Sequence, residues 1–160
     1  MILDKQNLII NNVPVLALAA STTYACDPTA VSPAPLPTPS GSIGSIDLGK
    51  TVPNRRLGRM KLMAQIQGGV VAGTASLNIT LYNSATPTAT TTQIVTTGTV
   101  SAATMVAGYE FPIEIPESTI FILRYLVATV VTGAGTGSGS ALINFGLVPE
   151  GASQTANFPT

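Results

Sequence analysis

In the stretch ASLNITLYN, residues 75–83, apolar and polar side chains alternate from Ala75 to Tyr82. Side chains at every second position of a strand point to the same face, whereas a helix repeats every ~3.6 residues. The alternation therefore predicts a β-strand that turns one apolar face toward a core. The apolar face comprises Ala75, Leu77, Ile79 and Leu81, and the polar face comprises Ser76, Asn78, Thr80 and Tyr82.

Seven further segments carry strand signals, and the turns between them are rich in Gly, Pro, Asn and Thr. About eight short strands with such turns are typical of a two-sheet sandwich or barrel, and a jelly roll has about eight strands in two sheets. We therefore predict an all-β fold, a jelly-roll-like two-sheet β-sandwich. The further segments are residues 6–10, 45–49, 60–67, 90–97, 108–116, 120–131 and 141–148.

Three of these segments, residues 60–67, 108–116 and 141–148, alternate as regularly as residues 75–82. Segment 120–131 is apolar on both faces for much of its length, which predicts a central position in a sheet. Pro112 removes a backbone donor from segment 108–116, which predicts an edge strand or a bulge there. The three apolar rows are Met60, Leu62, Ala64 and Ile66; Tyr109, Phe111, Ile113 and Ile115; and Ala141, Ile143, Phe145 and Leu147.

Charge is scarce in this chain. Its 160 residues, a length typical of one domain spanning 1–160, include 7 basic and 7 acidic side chains and so carry no net charge. A neutral domain has no long-range attraction to nucleic acid or to anionic lipid. Soluble monomers usually keep a net charge, so neutrality favours a protein that associates with other proteins. The longest apolar run, 120–131, contains Arg124 and is shorter than the ~18 residues of a membrane-spanning helix.

The residues needed for common catalytic and metal sites are missing. The chain has no His and one Cys, so it can build no Ser-His-Asp or Cys-His arrangement and no zinc site containing His. We interpret Cys26 as a small, partly buried side chain. The Gly-rich stretch 133–140 lacks the Lys of a phosphate-binding loop and predicts a flexible hairpin. We expect no catalytic residue, no metal and no cofactor.

Acidic residues offer one enzymatic alternative, a glycoside hydrolase. Glu110 and Glu114 lie four residues apart on one predicted strand face, so their backbones are about 13 Å apart. A hydrolase pair needs carboxyl groups roughly 5–9.5 Å apart, and like charges resist the approach. Glu117 follows Pro116 at a predicted turn, so the sequence does not fix its distance from the other two carboxyl groups. A solvated edge or a partner surface is the better interpretation.

Five of the seven basic residues lie in KTVPNRRLGRMK, residues 50–61, which we call the basic segment. A nucleic-acid site usually has a larger basic field and stacking aromatic residues, which are absent from 50–81. A solvated face and a salt-bridging interface with an acidic protein surface remain open. Arg suits the second use because its planar donors pair with carboxylates in a bidentate manner. The five residues are Lys50, Arg55, Arg56, Arg59 and Lys61.

Two stretches near the start are less regular. Residues 24–45 include a run of prolines between positions 33 and 39, which favours extended polyproline II and predicts a loop or an arm lying over a neighbour. A loop without a role is the alternative. VPVLALAAS, residues 13–21, resembles the end of a secretory leader, but Asp4 and the adjacent Asn11 and Asn12 favour an N-terminal strand.

Seven strings in order resemble the capsid cement, or decoration, proteins of tailed bacteriophages, and the resemblance spans almost the whole chain. The insertion at 24–45 departs from that pattern, because AAST is expected to lead quickly into IDLG. The strings are MILDKQ (1–6), AAST (19–22), IDLG (46–49), TVP (51–53), ITLYNS (79–84), VAGYEFPI (106–113) and RYL (124–126).

The resemblance implies a jelly-roll-like sandwich bound to the outer surface of an icosahedral shell in the virion. Such proteins bridge major capsid proteins, need no cofactor, have no catalytic residues, and form homo-oligomers, of which we favour a dimer over a trimer. The basic segment is then the candidate for docking on the capsid. A jelly-roll tail or surface module that binds host glycans is the alternative, although four Tyr, four Phe and no Trp supply few aromatic platforms.

Overall fold

The computed structural model describes residues 8–14, 23–24, 31–32, 42–49, 60–67, 72–111, 113–115, 119–135, 137–138 and 140–149. All regular structure in these ranges is β, and none of it is helical. Accordingly, these residues include no helix long and apolar enough to cross a membrane. The strands are β1 Leu8–Pro14, β2 Thr23–Tyr24, β3 Val31–Ser32, β4 Ser42–Ile43, β5 Ser45–Asp47, β6 Met60–Gln67, β7 Ala72–Gly73, β8 Ser76–Ser84, β9 Thr92–Thr96, β10 Val100–Ser101, β11 Tyr125–Thr132, β12 Gly137–Ser138 and β13 Leu142–Pro149.

The main strands pair in a nested order that is diagnostic of a jelly roll. Strand β1 pairs with β13, β5 with β11, and β8 with β9, all antiparallel. Residues 108–111 pair with β6, where Gln65 bridges Glu110 and Phe111 donates its N–H to the Ala64 carbonyl at 2.9 Å. Strand β13 also pairs with β6, and β11 with β8. Counted along the chain, the eight main strands are β1, β5, β6, β8, β9, residues 108–111, β11 and β13. The first pairs with the eighth, the second with the seventh, the third with the sixth and the fourth with the fifth. This nesting confirms the predicted two-sheet sandwich.

The predicted apolar rows form the core between the two sheets. Leu77, Ile79 and Leu81 of β8 are almost completely buried, as are Ile143 and Phe145 of β13. Strand β11 lies between β8 and β5, as its two apolar faces predicted. Two-residue periodicity identified these faces correctly because each sheet buries only the side that faces its partner sheet.

Two predicted strands are shorter than expected. Within 108–116, the ladder with β6 ends near Phe111, although Phe111 and Ile113 still alternate into the core; Pro112 lies outside the described residues. Segment 120–131 becomes a strand only from Tyr125. Before Tyr125, the backbone N–H and carbonyl of Leu123 bond to the Asn83 side chain. These two bonds take the place of bonds to a neighbouring strand.

Short strands near the predicted insertion extend the sheets on one side. Strand β4 pairs with β1, β3 runs parallel to β5, and β2 pairs with β11. Strands β4 and β3 thereby cover the edges formed by β1 and β5. The proline-rich part, 33–39, lies outside the described residues.

The Gly-rich stretch near 133–140 lies close to the start of β8. Strand β12 pairs with β7, and Gly133 donates its N–H to the Ser76 carbonyl at 3.0 Å. At Gly135, an added Cβ would collide with the backbone of Thr74. A residue without a side chain is therefore required there.

Candidate functional site

One end of the sandwich gathers the parts of the chain that the sequence singled out. Strand β5 ends there at Asp47, β8 ends at Ser84, and β11 begins at Tyr125, because Tyr125 pairs with both Asp47 and Ser84. Strand β6 begins at Met60, opposite Pro149 at the end of β13. We call this the Arg124 end, after the charged residue that precedes β11.

Arg124 and Asp47 form a bidentate ion pair at this end. The Arg124 Nε donates to Asp47 Oδ1 at 2.8 Å, and Nη2 donates to Oδ2 at 2.7 Å. The hydrogen bond with Asp47 is the main cause that raises the pKa of Arg124, so the guanidinium stays positive at any physiological pH. It also lies 5.1 Å from the centre of the Tyr125 ring, a cation–π distance. The side chains are 46% and 19% exposed, so solvent screens the pair.

The same carboxylate organises the turn after β5. Asp47 Oδ1 accepts the N–H of Gly49 at 2.7 Å, and Leu48 donates its N–H to the Arg124 carbonyl at 2.8 Å. Gly49 has a φ of 82°, a conformation that favours glycine over residues with a side chain. The Asp and Gly of IDLG therefore have distinct roles, one in binding two partners and the other in turning the chain.

A buried amide joins β8 to the start of β11. Asn83 is 1% exposed and follows Leu81 in the inward row of β8. Its Nδ2 donates to the carbonyls of Leu123 and Tyr125 at 3.1 and 3.0 Å, and its Oδ1 accepts the N–H of Leu123 at 2.9 Å. Both N–H donors and the Oδ1 acceptor of this buried amide are used, so Asn83 clamps the start of β11 to the end of β8.

Three of the strings that carry the family resemblance thus meet at the Arg124 end. IDLG supplies Asp47, ITLYNS supplies Asn83, and RYL supplies Arg124. Sequence reasoning did not pair these residues. The available signal was a lone Arg in an apolar run, which needs a partner, but Asp47 is 77 positions away in the chain.

Apolar side chains are also exposed beside the ion pair. Ile120 is 41% exposed and Ile122 is 52% exposed, whereas Phe121 between them is buried in the core. The alternation anchors the segment through Phe121 and presents the two isoleucines to solvent. An exposed apolar pair next to a charged pair can contact another protein surface.

Most of the predicted docking residues lie outside the described residues. Lys50, Arg55, Arg56 and Arg59 belong to the connection from β5 to β6 and are not among them. Lys61 lies in β6, where its backbone pairs with Val148. The docking role of the basic segment therefore stays a prediction.

Two of the three glutamates considered for catalysis lie in the part of the chain that is described. Glu110 is half-buried and Glu114 is exposed, and Glu117 lies outside that part. There, no three His, Cys, Asp or Glu side chains come together in a way that could hold a metal ion.

A family profile, Bbp16, matches residues 38–147. The matched span of 110 residues is more than two thirds of the 160-residue chain. This chain belongs to the Bbp16 family. The family is phage-related, as the resemblance to bacteriophage proteins implied. The matched span begins before β4 and ends in β13, so it contains the basic segment together with Asp47, Asn83 and Arg124. No curated protein matches the chain.

Proposed function

We propose that this protein is a capsid cement subunit that binds the outer surface of a tailed-phage icosahedral shell and stabilises it by bridging major capsid proteins. The main support is the ordered set of cement-like strings, in a chain that belongs to a phage-related family. A jelly-roll sandwich of neutral composition suits a building block that buries much of its surface against other proteins. Many copies on one shell would add avidity to a modest single contact.

The proposed contacts are electrostatic in part. The basic segment would pair with acidic side chains of the major capsid protein, and the exposed Ile120 and Ile122 would add apolar contact. Neighbouring copies of the protein are the second partner, with a homodimer favoured over a trimer. No enzyme activity, nucleic acid, membrane or cofactor has a part in this function.

The direct test adds purified protein to matching shells that have been stripped of their cement. We expect saturable pelleting with the shells and a higher shell melting temperature, and saturation gives the number of copies per shell. No binding to intact, expanded shells would contradict the proposal. A glycan array would then test the alternative, a module that binds host glycans.

The contribution of the basic segment is tested by the triple variant Arg55→Ala, Arg56→Ala, Arg59→Ala. Each exposed ion pair contributes about 1 kcal/mol at most, so we expect shell binding to weaken by about 10- to 100-fold. The salt dependence of binding should also flatten, because fewer charges meet across the interface. Replacing the same three residues by Lys retains the charge and serves as the control. Unchanged binding of the Ala variant would remove the segment from the interface.

A further inference from the structure

A glutamate and a glutamine lie side by side at one edge of the sheet formed by β4, β1, β13 and β6. Residues 108–111 continue this sheet beyond β6, where Phe111 donates its N–H to the Ala64 carbonyl at 2.9 Å. Ala64 belongs to the core, so the next residue, Gln65, points to the outer face of the sheet. Glu110 is bridged directly to Gln65, which places the two side chains next to each other on that face.

The side-chain oxygen of Gln65 is buried without a hydrogen-bond partner. Gln65 is 8% exposed, and its Oε1 accepts no hydrogen bond from the described residues. The neighbouring amide on β13, Asn144, cannot supply one, because its Nδ2 already donates to Asn12 Oδ1 and Gln67 Oε1 at 2.9 Å each. Buried acceptors are nearly always paired, since an unpaired one destabilises the fold. This oxygen therefore points to a donor on another molecule.

The carboxyl group beside this oxygen lacks a cationic partner. Glu110 is half-buried, and the ion pairing found within the described ranges does not include it. The sequence has no basic residue between Lys61 and Arg124, and Arg124 is bound to Asp47. Glu110 and Gln65 thus offer a carboxyl group and an unpaired amide oxygen to the same ligand.

These two acceptors indicate the class of that ligand. Calcium and magnesium ions need about six or more oxygen ligands, and within the described part of the chain no three acidic, His or Cys side chains come together. A guanidinium has five N–H donors in one plane, so it can bond to a carboxylate and to an amide oxygen at once. It is also more weakly hydrated than an ammonium, so it enters a half-buried site more easily. The site therefore favours an arginine side chain.

We propose that Glu110 and Gln65 bind the guanidinium of an arginine side chain that the major capsid protein supplies. The source of the arginine rests on the proposed function, whereas the chemistry of the site does not. Segment 110–117 holds three of the seven acidic residues of the chain, so a basic partner surface suits this edge. Together with the basic segment, this site gives the protein one contact of each charge sign. Contacts of opposite sign fix the orientation of the subunit, because exchanging them brings like charges together.

Titration of the isolated protein with N-acetylarginine amide tests the chemistry of the site. The side-chain amide resonances of Gln65 should shift saturably, with a Kd of about 1–30 mM for this single contact. N-acetylcitrulline amide has nearly the same shape without the charge, and it should bind at least about tenfold more weakly. If the arginine compound shifts the Gln65 resonances no more than the citrulline compound does, the proposal is overturned.

Gln65→Met separates a binding role from a structural one. Methionine has a similar shape without the amide, so the variant removes the unpaired oxygen. We expect the melting temperature of the isolated protein to rise by about 2 °C or more. The shifts that arginine causes at the Glu110 N–H should be lost. A glutamine with a purely structural role would behave in the opposite way, and a lower melting temperature with unchanged arginine binding would overturn the proposal.

Glu110→Gln and Glu114→Gln test the site on shells stripped of their cement. Both variants remove one acidic group, but Glu114 is exposed and lies beyond the pairing with β6, so Glu114→Gln is the matched control. We expect Glu110→Gln to weaken shell binding by about tenfold or more, and Glu114→Gln by less than about threefold. Equal effects of the two variants would show that only the overall charge matters and would overturn the proposal.

The outcomes on shells separate this inference from the proposed function. If the wild type binds shells and Glu110→Gln binds them equally well, the arginine site is refuted and shell binding stands. If the wild type does not bind shells although arginine binds at Gln65, shell binding is refuted and the arginine site stands with another source. If the triple variant of Arg55, Arg56 and Arg59 changes the Gln65 resonances of the isolated protein, the basic segment supplies the arginine, which overturns the shell protein as its source.

Discussion

Replacing Asn83 by Ala should be among the most destabilising single changes at the Arg124 end. Asn83 is 1% exposed and makes three hydrogen bonds to the backbone at Leu123 and Tyr125, with lengths of 2.9 to 3.1 Å. A typical internal hydrogen bond contributes about 0.5–1.5 kcal/mol, and the three backbone groups would lose their partner together. We therefore expect the free energy of unfolding to fall by about 2–4 kcal/mol.

Thermal and urea unfolding of the isolated protein measure this effect. A loss of 1 kcal/mol lowers the melting temperature of a domain of this size by about 2–4 °C, so the expected decrease is roughly 4–16 °C. Asn78→Ala is the matched control, because Asn78 lies on the same strand and is half-buried, and within the described part of the chain its side chain bonds to the hydroxyls of Thr80 and Thr96 and to no backbone group. If Asn83→Ala costs no more than Asn78→Ala, the clamp has no energetic importance.

Asn83→Asp provides a sharper check of the two donated bonds. The carboxylate retains an acceptor for the Leu123 N–H but faces the Leu123 and Tyr125 carbonyls without a donor. Burial and these carbonyls favour the protonated acid, so its folded pKa should rise above the unfolded value of ~3.9. Such a group is least destabilising below the unfolded pKa, and stability falls as the pH rises above it. Equal stability of this variant relative to wild type at about pH 3 and about pH 7 would contradict the assignment of the donors.

Three further predictions concern other contacts. Asn144→Ala should lower the free energy of unfolding by about 1–3 kcal/mol in urea titrations, because Asn144 is 2% exposed and bonds to Asn12 and Gln67; a loss below about 0.5 kcal/mol would contradict this. Arg124→Gln should change the melting temperature less than Asp47→Ala, since Asp47 also accepts the Gly49 N–H, and a larger effect of Arg124→Gln would refute that order. The raised pKa of Arg124 keeps its pairing intact until the pH exceeds its folded value, so the effect of Arg124→Gln should be constant between about pH 7 and about pH 10. Gly135→Ala should reduce thermal stability more than Gly133→Ala, because the first collides with the Thr74 backbone and the second with the Ser76 side chain, which can rotate; the reverse order would show that this approach is not tight.

Local patterns predicted most of the strands but not where two of them stop. The row from Leu77 to Leu81 points inward as its alternation indicates, and Asn83 continues that row although it is polar. The predicted apolar row stops at Leu81 and does not include Asn83. It lies in the core because the backbone ahead of β11 supplies its three partners, and that backbone is 40 to 42 positions away.

Short strands near the insertion are a second feature that composition does not indicate. Prolines favour a loop or an arm, and for the proline-rich part, 33–39, this stays a prediction because it lies outside the described residues. The structure nevertheless pairs Val31 with Ser45 and Ile43 with Ile10, so short parts of this region extend both sheets. Two-residue strands have no periodicity to detect, and their pairing depends on an exposed edge that exists only after the sheets have formed.

The sequence alone determined the all-β class, the inward faces of the main strands and the lack of histidine-based chemistry, because two-residue alternation and residue type are local properties. The tertiary structure decided the rest: the contact of Asp47 with Arg124, the clamp made by Asn83 and the covered strand edges on one side of the sandwich. These depend on which distant strands become neighbours and in which register. That choice is made by the packing of the two sheets as a whole, since no short stretch of sequence contains both partners.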